Sequence, residues 1–130
     1  MAVPVREDLP NAIRLCRVAH LRNPQFNDDV LDYLDRIQGT LDPFGGRFLV
    51  HGPTVEVVEG PWPGTIVVIE FPSVEQARAW YESPDYQAIL PLRRSHIDGE
   101  AIIVGGVDAG YDPANLAAAI RAQAATARTG

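Results

Sequence analysis

"NAIRLCRVAHLRN", Asn11 to Asn23, can be read in two ways, and the choice decides the fold. Ala12, Leu15, Cys16 and Ala19 recur at helical spacing. Arg17, Ala19 and Leu21 alternate against Val18 and His20, as in a short strand. The segment itself does not break the tie. The order of elements in the rest of the chain does.

"NDDVLDYLDRIQGTLDPFGG" is helical. Asn27 or Asp28 can cap it, and acids in its first turn suit the helix dipole. Val30, Leu31, Leu34, Ile37 and Leu41 form the apolar stripe. Gly39 weakens the middle, and Pro43 with Gly45-Gly46 ends the helix. "RFLVHGPTVEVVEG" (47–60) is β-rich, with a bulge or bend expected at Gly52-Pro53 because proline cannot donate to a ladder. "PWPG" (61–64) is a turn, and "TIVVIEF" (65–71) is a strand with apolar residues on both faces.

A capping box from Ser73 to Gln76 opens the next helix, whose apolar side is Val74, Ala77, Trp80 and Tyr81. Ser83 caps a further start with Pro84 at the first helical position. Pro91 removes a hydrogen bond and crowds the Gln87 carbonyl, so the segment should break or kink there. "EAIIVGGV" (100–107) is a strand, again apolar on both sides, and "DPANLAAAIRAQAATARTG" is an alanine-rich helix capped by Asp112. The order β, α, β, β, α, β makes residues 15–22 a strand and predicts an α+β, ferredoxin-like βαββαβ domain with a four-stranded antiparallel sheet. The expected divisions are a loose N-terminal arm (1–11), the domain itself (12–107) and a C-terminal helical tail (108–130).

Two helices cover only one face of such a sheet. Strands apolar on both sides therefore need a second apolar partner, and a homodimer packed sheet to sheet supplies one. Leu116 and Ile120 on the tail helix could cover part of that face or reach onto the partner.

Totals narrow the function. A chain of 130 residues, 46% hydrophobic, is expected to form one soluble domain. No apolar run approaches the ~20 residues of a membrane span, and the N-terminus lacks a secretion signal, so a cytoplasmic location is expected. All 11 basic residues are arginine. The absence of lysine excludes Schiff-base chemistry on lysine, and with it pyridoxal-phosphate enzymes. A net charge of −6 with scattered arginines argues against nucleic acid. One cysteine, Cys16, allows no internal disulfide. No phosphate loop or nucleophile elbow is visible, and no cofactor is expected.

The stretches "FGGRFLVHG", "VVEG", "VVIEFPS", "AWYESPDYQ" and "LR" followed by "IIVGGV" resemble the domain of unknown function 1330 family over roughly residues 15–107. The resemblance implies membership of the dimeric α+β barrel superfamily. That group contains cofactor-independent oxygenases, lactone isomerases, haem-degrading enzymes, dehydratases and stress-responsive proteins, whose ligands commonly sit between sheet and helices. The family's last strand usually ends in Glu-Gly or Asp-Gly before an apolar residue; here it ends Gly105-Gly106-Val107.

Candidate chemistry rests on few residues. His20 on the first strand and His51 beside Gly52-Pro53 are the possible acids or bases, since imidazole titrates near neutrality. Each can equally be a hydrogen-bonded or exposed histidine. His96 lies among polar residues, and the three lack metal-ligand spacing, so no metal site is expected. Glu70, in an apolar strand, lies either at the strand's wet end or buried and paired with Arg47 or Arg93, and a buried carboxylate could act as a base. Arg47 and Arg93 could grip an anionic group. Trp80, Tyr81 and Tyr86 converge where two helical pieces meet, and either fill that joint or border a pocket for a small apolar or aromatic molecule, with Tyr86 as hydrogen-bond donor. The expected function is binding of such a molecule between sheet and helices. Its alternatives are a cofactor-independent oxygenase or isomerase with a histidine base, and a structural or stress-related dimer without catalysis.

Overall fold

The computed structural model describes residues 15–22 and 26–129. The expected N-terminal arm, 1–11, lies outside the described residues. Residues 13–106 form one compact unit. Its elements are β1 (Leu15–Arg22), α1 (Asp28–Leu41), a short 3-10 turn (Asp42–Phe44), β2 (Arg47–His51), β3 (Thr65–Phe71), α2 (Val74–Glu82), α3 (Pro84–Arg94) and β4 (Asp98–Val104). The sheet order is β2-β3-β1-β4, with every neighbouring pair antiparallel. This is the ferredoxin-like α+β arrangement. β1 is central, flanked by β3 and β4 through nearly its whole length. Its backbone bonds are therefore satisfied in the sheet, and the strand reading of 15–22 holds over the helical one.

Pleating sorts the side chains. Arg17, Ala19, Val67, Ile69, Phe71 and Ile103 face the helices, while Val18, His20, Ile66, Val68, Glu70 and Ile102 take the opposite face. Helix α1 buries Val30, Tyr33, Ile37, Thr40 and Leu41. Leu31, read as part of the stripe, is exposed, and Tyr33 takes its place inside. Asn27 is the cap, accepting from the Val30 N–H at 3.0 Å. Ser73 accepts from the Gln76 N–H at 3.1 Å and so opens α2.

Ser83 closes one helix and opens the next. Its hydroxyl donates to the Trp80 carbonyl at 2.7 Å, and its oxygen accepts from the Tyr86 N–H at 3.3 Å. Ser83→Ala should therefore lower stability by about 1 kcal/mol, read from a urea midpoint shift without a change of slope. No change in midpoint would show that the cap contributes nothing.

Three expectations need correction. Pro91 does not break the segment: α3 continues through it to Arg94. Pro91 and Gln87 are both exposed, so the carbonyl that loses its helical partner faces water, and the helix ends within one further turn. The β-rich stretch 47–60 pairs only through His51; beyond Gly52 the chain is irregular and exposed. The last strand stops at Val104 rather than running to Val107. The expected bend does fall at Gly52, where φ is +68°, and a further irregularity that the sequence did not announce lies between Phe48 and Val50, where Leu49 is the extra residue of a bulge.

The tail lies outside the 13–106 unit, and its helix, α4, spans Pro113–Thr129. Asp112 accepts from the Ala114 N–H at 2.9 Å at its start.

Candidate functional site

A cleft of about 380 Å³ lies between the sheet and α1. Its apolar wall is mainly Leu21, Val30, Leu34, Ile37, Val67 and Ile97, with the exposed Phe26 at its rim. Its polar groups are few: Arg17, Tyr33, His51, Thr65 and Arg93. That size and mixture are those of a small-molecule site.

The bulge at Leu49 shapes the cleft. In a regular strand Phe48 and His51, three residues apart, would face opposite sides. The extra residue brings them to the same side, where their rings stack 4.3 Å apart at 11°. Burial, and after it the positive charge of Arg17, lower the His51 pKa from its ordinary value of 6.5. The imidazole is accordingly neutral at neutral pH. Since the folded state disfavours the proton, His51 contributes stability that is full above about pH 6.5 and is lost as the pH falls through its folded-state pKa. His51→Gln should flatten the acid side of the curve of melting temperature against pH below about 6.5, by a small amount because the side chain is still partly open to solvent. An unchanged slope there would place the effect in other groups.

Arg17 projects from the centre of β1 onto the helix side and is 3% exposed. Its guanidinium lies over the Trp80 ring, 5.7 Å from the centroid. Arg93, on the last turn of α3, lies 5.6 Å over the Tyr33 ring. The Tyr33 hydroxyl shares a 2.8 Å hydrogen bond with that of Tyr86. Burial, then the neighbouring Tyr86, raise the Tyr33 pKa far above its ordinary value, so it stays a neutral phenol.

The residues singled out from sequence do not gather at one place. His51 and Arg93 line the cleft. Trp80 and Tyr86, both fully buried, pack ring on ring at 4.0 Å and fill the joint between α2 and α3. Tyr81, 5.6 Å from Tyr86, borders a second cleft of about 260 Å³ beside β4, which Arg17 also reaches. His20, Glu70 and Arg47 belong to the opposite side of the sheet. His20 Nε2–H donates to the Pro63 carbonyl at 2.6 Å, and its ring lies 4.7 Å from Trp62. The PWPG turn thus holds it. Glu70, fully buried, accepts from Arg47 Nε at 2.9 Å. Cross-strand register dictates that pairing, since Arg47 stands directly opposite Glu70. His96 donates to Asp29 at 3.0 Å, tying the end of α3 to the start of α1. Among the described residues no cluster of His, Cys, Asp or Glu could hold a metal ion.

Arg17 and Tyr33 were not picked out from sequence. Arg17 did carry a signal: it alternates in phase with Ala19 and Leu21, which puts a charge on the core side of a strand. Tyr33 carried one too: it stands three residues after Val30 and four before Ile37, which is helical spacing for the buried face.

A four-stranded antiparallel sheet in the order β2-β3-β1-β4, with helices and a cleft on one face, defines a ferredoxin-like α+β protein. The chain belongs to the family described as "Domain of unknown function (DUF1330)", which matches residues 18–107. No curated protein matches it. Among solved structures, the RPA0582 protein of unknown function from Rhodopseudomonas palustris is 17% identical, over 73% of this chain and 82% of that one, with a TM-score of 0.53. The methylated form of RPA0582 is also 17% identical, over 78% and 84%, with a TM-score of 0.56. A dimeric ferredoxin-like protein of unknown function from Thermobifida fusca is 15% identical, over 74% and 92%, with a TM-score of 0.49. At these identities the likeness concerns the fold. Among the described residues, no helix is long and apolar enough to cross a membrane.

Proposed function

We propose that this protein binds a small, largely apolar or aromatic molecule in the cleft between the sheet and α1. The observation that carries this is an open space of about 380 Å³ walled mostly by aliphatic side chains, in a domain whose core is otherwise filled by large aromatics. The same space weighs against a purely structural role, for which closed packing would serve better. Native mass spectrometry of freshly purified protein should show a bound small molecule. Titration with the neutral fluorophore N-phenyl-1-naphthylamine should give saturable enhancement, reduced by Leu34→Trp, which narrows the cleft. Absence of both signals would sink the reading.

The catalytic version of this reading, an oxygenase or isomerase without cofactor, centres on His51. It is neutral, able to take a proton, and open to the cleft. His20 and Tyr86 are committed to Pro63 and Tyr33 respectively. The proposal also includes a homodimer. Ile102 and Val104 lie exposed on the side of the sheet away from the helices, alongside half-buried Val18, Ile66 and Val68. A second copy packed there by two-fold symmetry would cover this face.

A further inference from the structure

The cleft holds two arginines and no acid. Arg17 and Arg93 both line it, and none of the other described residues around it is Asp or Glu. Arg17 is buried, yet its Nε and Nη2 have no hydrogen-bond partner among the described residues, and the buried Nε of Arg93 likewise has none. A guanidinium cannot shed its charge. A buried cation without its anion is costly, and folded proteins normally pair one with a carboxylate or satisfy its donors. Here the ring of Trp80 gives Arg17 only partial compensation. His51 cannot supply the missing negative charge, because an imidazole is either neutral or cationic. The described part of the chain leaves Arg17 Nε and Nη2 and Arg93 Nε without partners beside a cleft that has no anion of its own, the rest of the Arg93 guanidinium being held by the Tyr33 and Tyr86 hydroxyls.

We infer that the ligand of this cleft is a carboxylate with an apolar or aromatic body, its head group held by Arg17 and Arg93 and its body lying along Val30, Leu34, Ile37 and Val67. The inference rests on the proposed binding role and names the chemical class of the ligand. Guanidinium presents paired N–H donors in a plane that matches the two oxygens of a carboxylate. The aliphatic wall selects against small, fully hydrated anions, which would gain nothing from it. A carboxylate on an apolar body satisfies both parts of the site at once.

The test compares three probes by isothermal titration calorimetry on the full chain: 1-naphthoate, 1-naphthalenemethanol, which keeps the ring system without the charge, and acetate, which keeps the charge without the rings. The expected result is that 1-naphthoate binds about tenfold to a hundredfold more tightly than the alcohol, the range set by a charge-assisted hydrogen bond, with acetate weaker than both. Arg93→Gln should reduce that preference at least severalfold. Arg17→Met should abolish most of it while leaving the binding of the alcohol in place.

Arg17→Met gives a second, independent readout. Replacing an unpaired buried cation with an apolar side chain of similar length should hold or raise the melting temperature of the ligand-free protein. A purely structural arginine would show a marked fall instead. Should that variant fail to fold, Arg93→Gln, at a half-buried position, still reads the preference. Equal affinity for naphthoate and the alcohol would overturn the carboxylate inference and leave the apolar cleft standing. No binding of either would overturn both.

Discussion

Trp80→Ala should remove about 3–5 kcal/mol of stability, measured by urea denaturation followed by circular dichroism. Trp80 is fully buried and is the largest side chain of the core. Its ring packs at a tilt on Tyr86, 4.0 Å between centroids, and lies 5.4 Å from Phe71, so it joins the start of α3 to β3. Its indole N–H donates to Thr40 Oγ1 at 2.9 Å, and the Thr40 hydroxyl donates in turn to the Ile37 carbonyl at 2.7 Å, so α1 is tied in as well. Three elements thus lose packing at once, and Arg17 loses the ring face beneath it. A loss of this size is a large part of a typical domain's total stability. Trp80→Phe provides the graded control. It keeps an aromatic ring, forfeits the hydrogen bond to Thr40 and some volume, and should cost about 1–2 kcal/mol. A loss below about 1 kcal/mol for Trp80→Ala would mean that the joint between α2 and α3 is not the structural centre of the domain.

Local chemistry made the fold readable before the site. Asn27, Ser73, Ser83 and Pro84 announce helix starts because capping depends on neighbours two or three positions away, which a sequence displays directly. The two-faced strands at 65–71 and near 101–104 were readable for the same reason. Pro91 misled because its effect depends on which way the orphaned carbonyl points, and Gln87 faces water. The bulge at Leu49 has no signature in "RFLVHG", yet it turns His51 to the helix side and stacks it on Phe48. The cleft was out of reach from sequence because its polar residues come from five separate segments: Arg17 from β1, Tyr33 from α1, His51 from β2, Thr65 from β3 and Arg93 from α3. Spacing along the chain carries no trace of such a meeting. What sequence did offer was the type of each residue, and an arginine in phase with Ala19 and Leu21 was its strongest hint of a charged group facing the core.

Ile102→Glu should convert a dimer into a monomer, with sedimentation equilibrium at micromolar concentration shifting from twice the 14.2 kDa chain mass to that mass itself. Ile102 lies on β4, opposite Val18 in register, and is 56% exposed in the isolated chain. In a monomer, a glutamate at so exposed a position would change stability by only about 0.5 kcal/mol. In a two-fold dimer packed through this face, each substitution appears twice and places a carboxylate in an apolar layer. Burying an unpaired charge there costs several kcal/mol, enough to weaken association by more than about a hundredfold. Mass and stability therefore separate the two cases. A wild-type protein that sediments at 14.2 kDa at micromolar concentration would refute the dimer outright, whatever the variant does. A dimer that survives the substitution would move the interface elsewhere and leave Ile102 and Val104 as ordinary exposed side chains. Glu70 sharpens the comparison. It lies on the same face but is already buried and paired with Arg47, so Arg47→Ala should lower stability by leaving a buried carboxylate with one partner fewer, independently of the assembly state. A charge introduced at 102 has no such partner opposite it, because Val18 stands there. The sheet can carry an acid where the neighbouring strand answers it and should reject one where it does not.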